Sequence, residues 1–192
     1  SAVQAAYHPL PHRAHYSSLN QQLCKPSPTG RLSARPIKMA SADQQQNAAG
    51  AYVRRSSTFR EFIKPGTRFE PEAGRYHLHV ALACPWACGT LSMLHLKGLE
   101  KIVSHSVVHP TWQATRPDSE DDRHCGWVYR SPGDKPLTSS AGYGSFPCDE
   151  ALQADEITGC ASIREVYELA GAAPDTTYST PVLWDNKEKT IV

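Results

Sequence analysis

The sequence predicts an α/β fold, and three observations carry that prediction. Over residues 76–108 a strand-forming stretch runs into a helical pattern and then into a second strand-forming stretch. Near the end of the chain a proline opens a short apolar segment, Thr180-Pro181-Val182-Leu183-Trp184-Asp185. Lys189-Thr190-Ile191-Val192 follows at hairpin distance. Strand, helix, strand in that order makes a βαβ unit, whose two strands lie parallel with the helix crossing over one face.

Each element has a local reason. Tyr76-His77-Leu78-His79-Val80-Ala81-Leu82 alternates and is rich in strand formers. Cys84-Pro85-Trp86 then turns the chain, and proline suits the first turn of a helix, where its missing N–H leaves nothing unpaired. Trp86 to Lys97 carries Leu91, Leu94, Met93 and Leu96 at helical spacing, and Gly98 is its stop. Ile102 to Val108 is the second strand. From about 110 to 160 proline, glycine, serine and charge replace any steady period, which predicts a long surface excursion. Ser162 to Ala170 reads as a short helix capped by Ser162, with Glu165 three residues on. The last two segments form a hairpin across Asp185-Asn186-Lys187.

The bulk properties exclude more than they assign. A formal charge of +1 over 192 residues exerts no pull toward nucleic acid or an anionic membrane. No apolar run approaches the ~20 residues of a membrane helix. Residues 1–50 form an extension of different character from residues 51–192. No acid precedes Asp43, while Arg13, Lys25, Arg31, Arg35 and Lys38 stand among Ser, Pro, Gln and Ala. That composition is expected of an organelle transit peptide, chloroplast ahead of mitochondrion, with a plain disordered extension of a cytoplasmic protein as the alternative. The six cysteines show no C-x-x-C pair, and adjacent His124 and Cys125 lack a second half-site, so no metal is expected. His77 and His79 share one face of their strand and read as solvent-facing or hydrogen-bonded residues.

Two positions carry chemistry. Cys84 closes a strand and opens a helix, where free N–H groups and the helix dipole favour an anion, making it a candidate nucleophile. Cys88, one turn on, does not make a dithiol redox motif with it. A single reactive cysteine implies a mixed disulfide resolved by an external thiol; a pair of buried packing cysteines is the alternative. Thr180-Pro181 opens a core strand with a residue that cannot donate, so a cis bond with the Thr180 N–H and C=O turned toward an extended peptide is expected there, against an ordinary trans proline at a strand edge.

Taken in order, Cys84-Pro85-Trp86-Ala87, Val107-Val108-His109-Pro110, Gly126-Trp127, Thr180-Pro181-Val182-Leu183-Trp184-Asp185 and Thr190-Ile191-Val192 resemble glutathionyl-hydroquinone reductases, the xi class of glutathione transferases. The match runs from about Phe59 to Val192. It implies a thioredoxin-like fold, the N-terminal domain of a glutathione transferase, with the all-helical C-terminal domain missing. It implies Cys84 as nucleophile, with Pro85 and Trp86 in the same motif at the glutathione site. Trp127 would lie against glutathione, Arg130 would hold its glycine carboxylate, and Thr180 before Pro181 would pair with its cysteinyl backbone. In the family a valine usually precedes that proline; backbone pairing survives threonine.

The chain ends at Val192, ahead of the Asn-Glu-Ser segment that grips the γ-glutamyl end in the family, and so reads as a fragment. The resemblance implies glutathione as co-substrate, quinone-derived thioethers as substrates, and a homodimer for the complete protein. Three other readings stand beside it: an omega-like thiol transferase or dehydroascorbate reductase, a non-catalytic glutathione-binding redox domain, and a structural or metal-binding protein.

Overall fold

A computed structural model describes residues 56–139, 142–174 and 176–192. The expected extension over residues 1–50 lies outside them. A four-stranded mixed sheet organises the described residues. Its strands are β1 (Tyr76–Ala81), β2 (Val103–Val108), β5 (Val182–Asp185) and β6 (Thr190–Ile191), in the order β2-β1-β5-β6. β1 runs parallel to β2 and antiparallel to β5, and β6 returns antiparallel to β5. Helix α1 (Pro85–Leu96) makes the parallel crossover, and α2 (Ile163–Leu169) precedes β5. Two-residue strands β3 (Gln113–Ala114) and β4 (Cys125–Gly126) form a separate antiparallel ribbon.

Alternation along β1 sends its side chains into two cores. Leu78 and Val80 meet Ala87 and Leu94 of α1, while Ala81 meets Ile163, Val166 and Trp184 in the layer containing α2. Both helices end as glycine allows. Gly98 and Gly171 take positive φ, and the next residues close the turn by donating back: Leu99 N–H to Leu94 O and Ala172 N–H to Tyr167 O, each at 3.0 Å. Ser162 caps α2 by accepting from Glu165 N–H, and the Glu165 carboxylate reaches one residue further back than a standard capping box, to Ala161 N–H.

Several expectations need correction. Met93 and Leu96 are exposed, at 53% and 80%, so the apolar spacing of α1 marks two faces and only Ala87 and Leu94 are buried. The excursion is more than a surface loop. Val107 and Gln153 exchange backbone hydrogen bonds, which covers the outer edge of β2, and Val128, Tyr129 and Leu152 are buried. The final hairpin is shorter than expected: Asp185 accepts from Lys187 and Glu188 N–H, and Lys189 has φ 54°, leaving Thr190–Ile191 as the paired return. His77 and His79 face the interior rather than solvent, at 3% and 0% exposure. The hydrogen-bonded half of that expectation holds.

Two polar clusters lock the layers. Arg75, just ahead of β1, forks onto Asp185 at the end of β5, its Nε donating to both carboxylate oxygens at 2.9 Å. Burial raises the Asp185 carboxyl, but Arg75 and the two turn N–H groups outweigh it and hold the group below its ordinary value. Farther along, Arg164 of α2 bonds Asp122 at 2.6 Å and Glu168 at 2.8 Å, and Arg116 joins both acids, tying the excursion to the helix.

Ile163 is fully buried where α2 meets the sheet. Ile163→Ala is expected to cost about 2–5 kcal/mol in urea unfolding. The hydrogen bond from Arg164, with His124 N–H and Arg116, holds the Asp122 carboxyl at about 2 against an ordinary 3.8. A depressed carboxyl stabilises the fold above its unfolded value and loses that contribution as pH falls through its folded value. The chain should therefore lose stability between pH 3.8 and 2, and Asp122→Asn should flatten that part of a denaturation-versus-pH series.

Candidate active site at the start of helix α1

Cys84 is the N-cap of α1. Its backbone is extended (φ −101°, ψ 116°), its N–H donates to Ala81 O, and its carbonyl accepts the first helical bond from Cys88 N–H at 3.0 Å. Pro85 occupies the first helical position, and the first turn carries no acid. No side chain caps the helix start, so the partial positive charge of the free N–H groups remains beside the sulfur.

The tertiary fold supplies the other wall. Cys84 Sγ donates to Thr180 O at 3.4 Å, joining positions 96 residues apart. The Thr180–Pro181 bond is cis. Among the described residues no backbone hydrogen bond takes up the Thr180 N–H. A half-buried thiol therefore lies against an extended segment with a free donor, an arrangement that can hold a thiol-containing peptide by its backbone while presenting its sulfur to Cys84.

The other expected residues fall at different distances from this pair. Trp127 is half-buried against the same core cluster as Cys84 and packs edge-on to Trp112 at 5.4 Å. Its carbonyl accepts from Ile163 N–H, which anchors it to the start of α2. Trp86 stands 68% exposed on the outer side of α1. Arg130 is turned back on its own chain, Nη1 donating to Tyr129 O at 2.8 Å, and makes no bond to Cys84 or Thr180.

Sequence reading missed two supports. Tyr167 of α2 donates its hydroxyl to Ser179 O at 3.2 Å and packs on Tyr178, so α2 steadies the segment carrying Thr180. The helical spacing of Tyr167 with Ile163 and Val166 was its only signal. In the same layer as α2, Tyr129 OH meets His79 Nδ1 at 2.6 Å. Burial pushes both His77 and His79 down to about 4, so both rings are neutral at neutral pH.

No family model matches the sequence. The chain is 33% identical over 144 residues to the glutathione S-transferase omega-like 2 of Schizosaccharomyces pombe, covering 74% of this chain and 37% of that protein. It is 32% identical over 147 residues to the glutathionyl-hydroquinone reductase of Sphingobium chlorophenolicum, covering 77% and 38%. The solved xi-class transferase of Phanerochaete chrysosporium matches with TM-score 0.57 at 30% identity, over 73% of this chain and 39% of that one. The Saccharomyces cerevisiae xi transferase gives 0.58 at 30% identity, over 74% and 42%. The chain is homologous to the xi-class glutathione transferases.

Its fold is their thioredoxin-like domain, and the chain spans about two fifths of the length of the relatives it matches. Two of the solved relatives, from Saccharomyces cerevisiae and Escherichia coli, hold glutathione. Burial raises the thiols of Cys125, Cys148 and Cys160, which makes them poor nucleophiles. Brief alkylation with iodoacetamide should modify Cys84 well ahead of Cys125, Cys148 and Cys160 in peptide mass spectrometry. Equal labelling of all four would remove Cys84 from its special place.

Proposed function

We propose that this chain carries the thiol site of a glutathione-dependent reductase that cleaves glutathionyl-hydroquinones. The observation behind the reading is the Cys84 sulfur at an uncapped helix start against the Thr180 backbone. The Cys84 thiolate attacks the glutathione sulfur of the thioether, and the carbon–sulfur bond breaks. Its electron pair stays on the aromatic carbon, which takes a proton and leaves as free hydroquinone. A second glutathione thiolate then attacks the Cys84–glutathione disulfide, giving oxidised glutathione and the original thiol.

In this reading the Thr180 N–H and C=O pair with the cysteinyl backbone of glutathione, so the Cys84–Thr180 contact yields to the ligand. Pro85 sets the helix start that faces the anion, Trp86 belongs to the same lip, and Trp127 walls the ligand. Arg130 holds the glycine carboxylate through guanidinium nitrogens that, among the described residues, its bond to Tyr129 O leaves over. The acid-free stretch before Asp43 supports import into a chloroplast, and the resemblance to the xi class is what supports a homodimer for the complete protein.

A relative carrying an omega-like name favours a second reading, a thiol transferase acting on dehydroascorbate through the same mixed disulfide. Hydroquinone release from glutathionyl-menadiol, with glutathione present, tests the first. The chain is expected to turn over, and Cys84→Ser to lose at least ~10³-fold, as removal of a covalent nucleophile does. Turnover with dehydroascorbate but none with the thioether selects the second reading. Activity surviving in Cys84→Ser rejects both.

A further inference from the structure

Behind the sheet lies a polar cluster that the thiol chemistry does not use. Leu78 and Val80 face α1, so His77 and His79 face the opposite layer, and both are buried. Asp155 reaches them because the Val107–Gln153 pairing lays its segment along the edge of β2; it too is buried, at 6% exposure. One ligand-capable atom from each of His77, His79 and Asp155 lies within 4.8 Å of the other two.

The hydrogen bonds around the cluster orient these groups and leave one atom over. His79 Nδ1 is engaged by Tyr129 OH at 2.6 Å, while His79 Nε2 is buried with no partner. A fully enclosed ring nitrogen without a partner asks for an explanation, and beside two further donor groups a bound ion supplies one. Asp155 is held as a rigid acceptor by Ile157 N–H and Thr158 N–H, each at 3.0 Å, and by the Thr158 hydroxyl. Those bonds leave part of the carboxylate's acceptor capacity unused. His77 lies between Ser104 and Ser106, with 2.7 Å from each ring nitrogen to a hydroxyl, and Ser106 donates onward to Ala154 O.

We propose that His77, His79 and Asp155 form a buried site for one divalent transition-metal ion, zinc by the chemistry of the donors. Two imidazoles and a carboxylate are nitrogen and oxygen ligands suited to zinc or cobalt(II). His79 binds through Nε2, and its Nδ1–H is donated to Tyr129 OH, the outer hydrogen bond that metal-bound histidines characteristically make. His77 gives up one of its serine contacts to ligate. A water fills the fourth position. The ion pins the excursion at Asp155 to the central strand, so its effect is on the stability of the domain and the site lies apart from Cys84.

The test uses the full chain, freed of any purification tag, stripped by chelator and dialysed against zinc or cobalt(II). The expected result is one equivalent of bound metal and a thermal midpoint that rises with free zinc. Cobalt should give d–d bands without the thiolate charge-transfer absorption. His79→Gln and Asp155→Asn should each weaken binding at least ~10-fold, the lower end of what even an outer-shell partner contributes. Cys84→Ser should leave it unchanged. If His79→Gln fails to fold by circular dichroism, Asp155→Asn decides, since asparagine can still accept from Thr158 N–H. Absence of stoichiometric binding would overturn the site. So would a thiolate absorption band, or affinity undiminished in folded Asp155→Asn, which would place the metal elsewhere among the nine histidines and six cysteines.

Discussion

Everything in this domain depends on β1 being hydrogen-bonded along both edges. Its parallel pairing with β2 requires a crossover, and α1 supplies it, so the strand-to-helix junction falls at Cys84. Its antiparallel pairing with β5 brings the segment ahead of Val182 to the same end of the sheet, which is why Thr180 O meets the Cys84 sulfur. The Arg75–Asp185 fork sits where Tyr76 is opposite Asp185 and holds that register. A one-residue slip would turn every side chain of β1 to the other face and separate sulfur from carbonyl.

The two faces of β1 serve different ends. One is aliphatic and packs α1 through Leu78 and Val80. The other is part apolar, at Ala81, and part polar, at His77 and His79. Buried polar groups demand partners, and the domain provides them from a distance: Ser104 and Ser106 from β2 and Tyr129 from the excursion. A long irregular segment thus packs as core, and the Arg116–Asp122–Arg164–Glu168 cluster fastens it to α2.

Helix α2 acts on the thiol site through the segments on either side of it. Through Tyr167 it holds Ser179, next to Thr180, and through Ile163 N–H it holds the Trp127 carbonyl. The segments carrying Thr180 and Trp127 are therefore both held by one short helix, whose own placement depends on Ile163 and Val166 entering the core fully buried. The exposed Trp86, Met93 and Leu96 on α1 show how much apolar surface this domain leaves toward its outer side.

What the sequence determined by itself was local. Period-two alternation marked β1, strand-forming residues marked β2, proline placed the start of α1 at Cys84, Gly98 its end, and Ser162 with Glu165 the start of α2. Each of these signals acts within a turn or a strand, so neighbouring residues suffice to read it. Cys84 could be picked out as a candidate nucleophile for the same reason, since a helix N-terminus is a local electrostatic feature. Tertiary structure decided what lies across the chain from each signal. The Thr180 carbonyl beside Cys84, the inward turn of His77 and His79, the outward turn of Met93 and Leu96, and the burial of Tyr129 and Asp155 rest on contacts between segments far apart in sequence. No period within one segment records which face its partner will cover, and only the closed sheet supplies that.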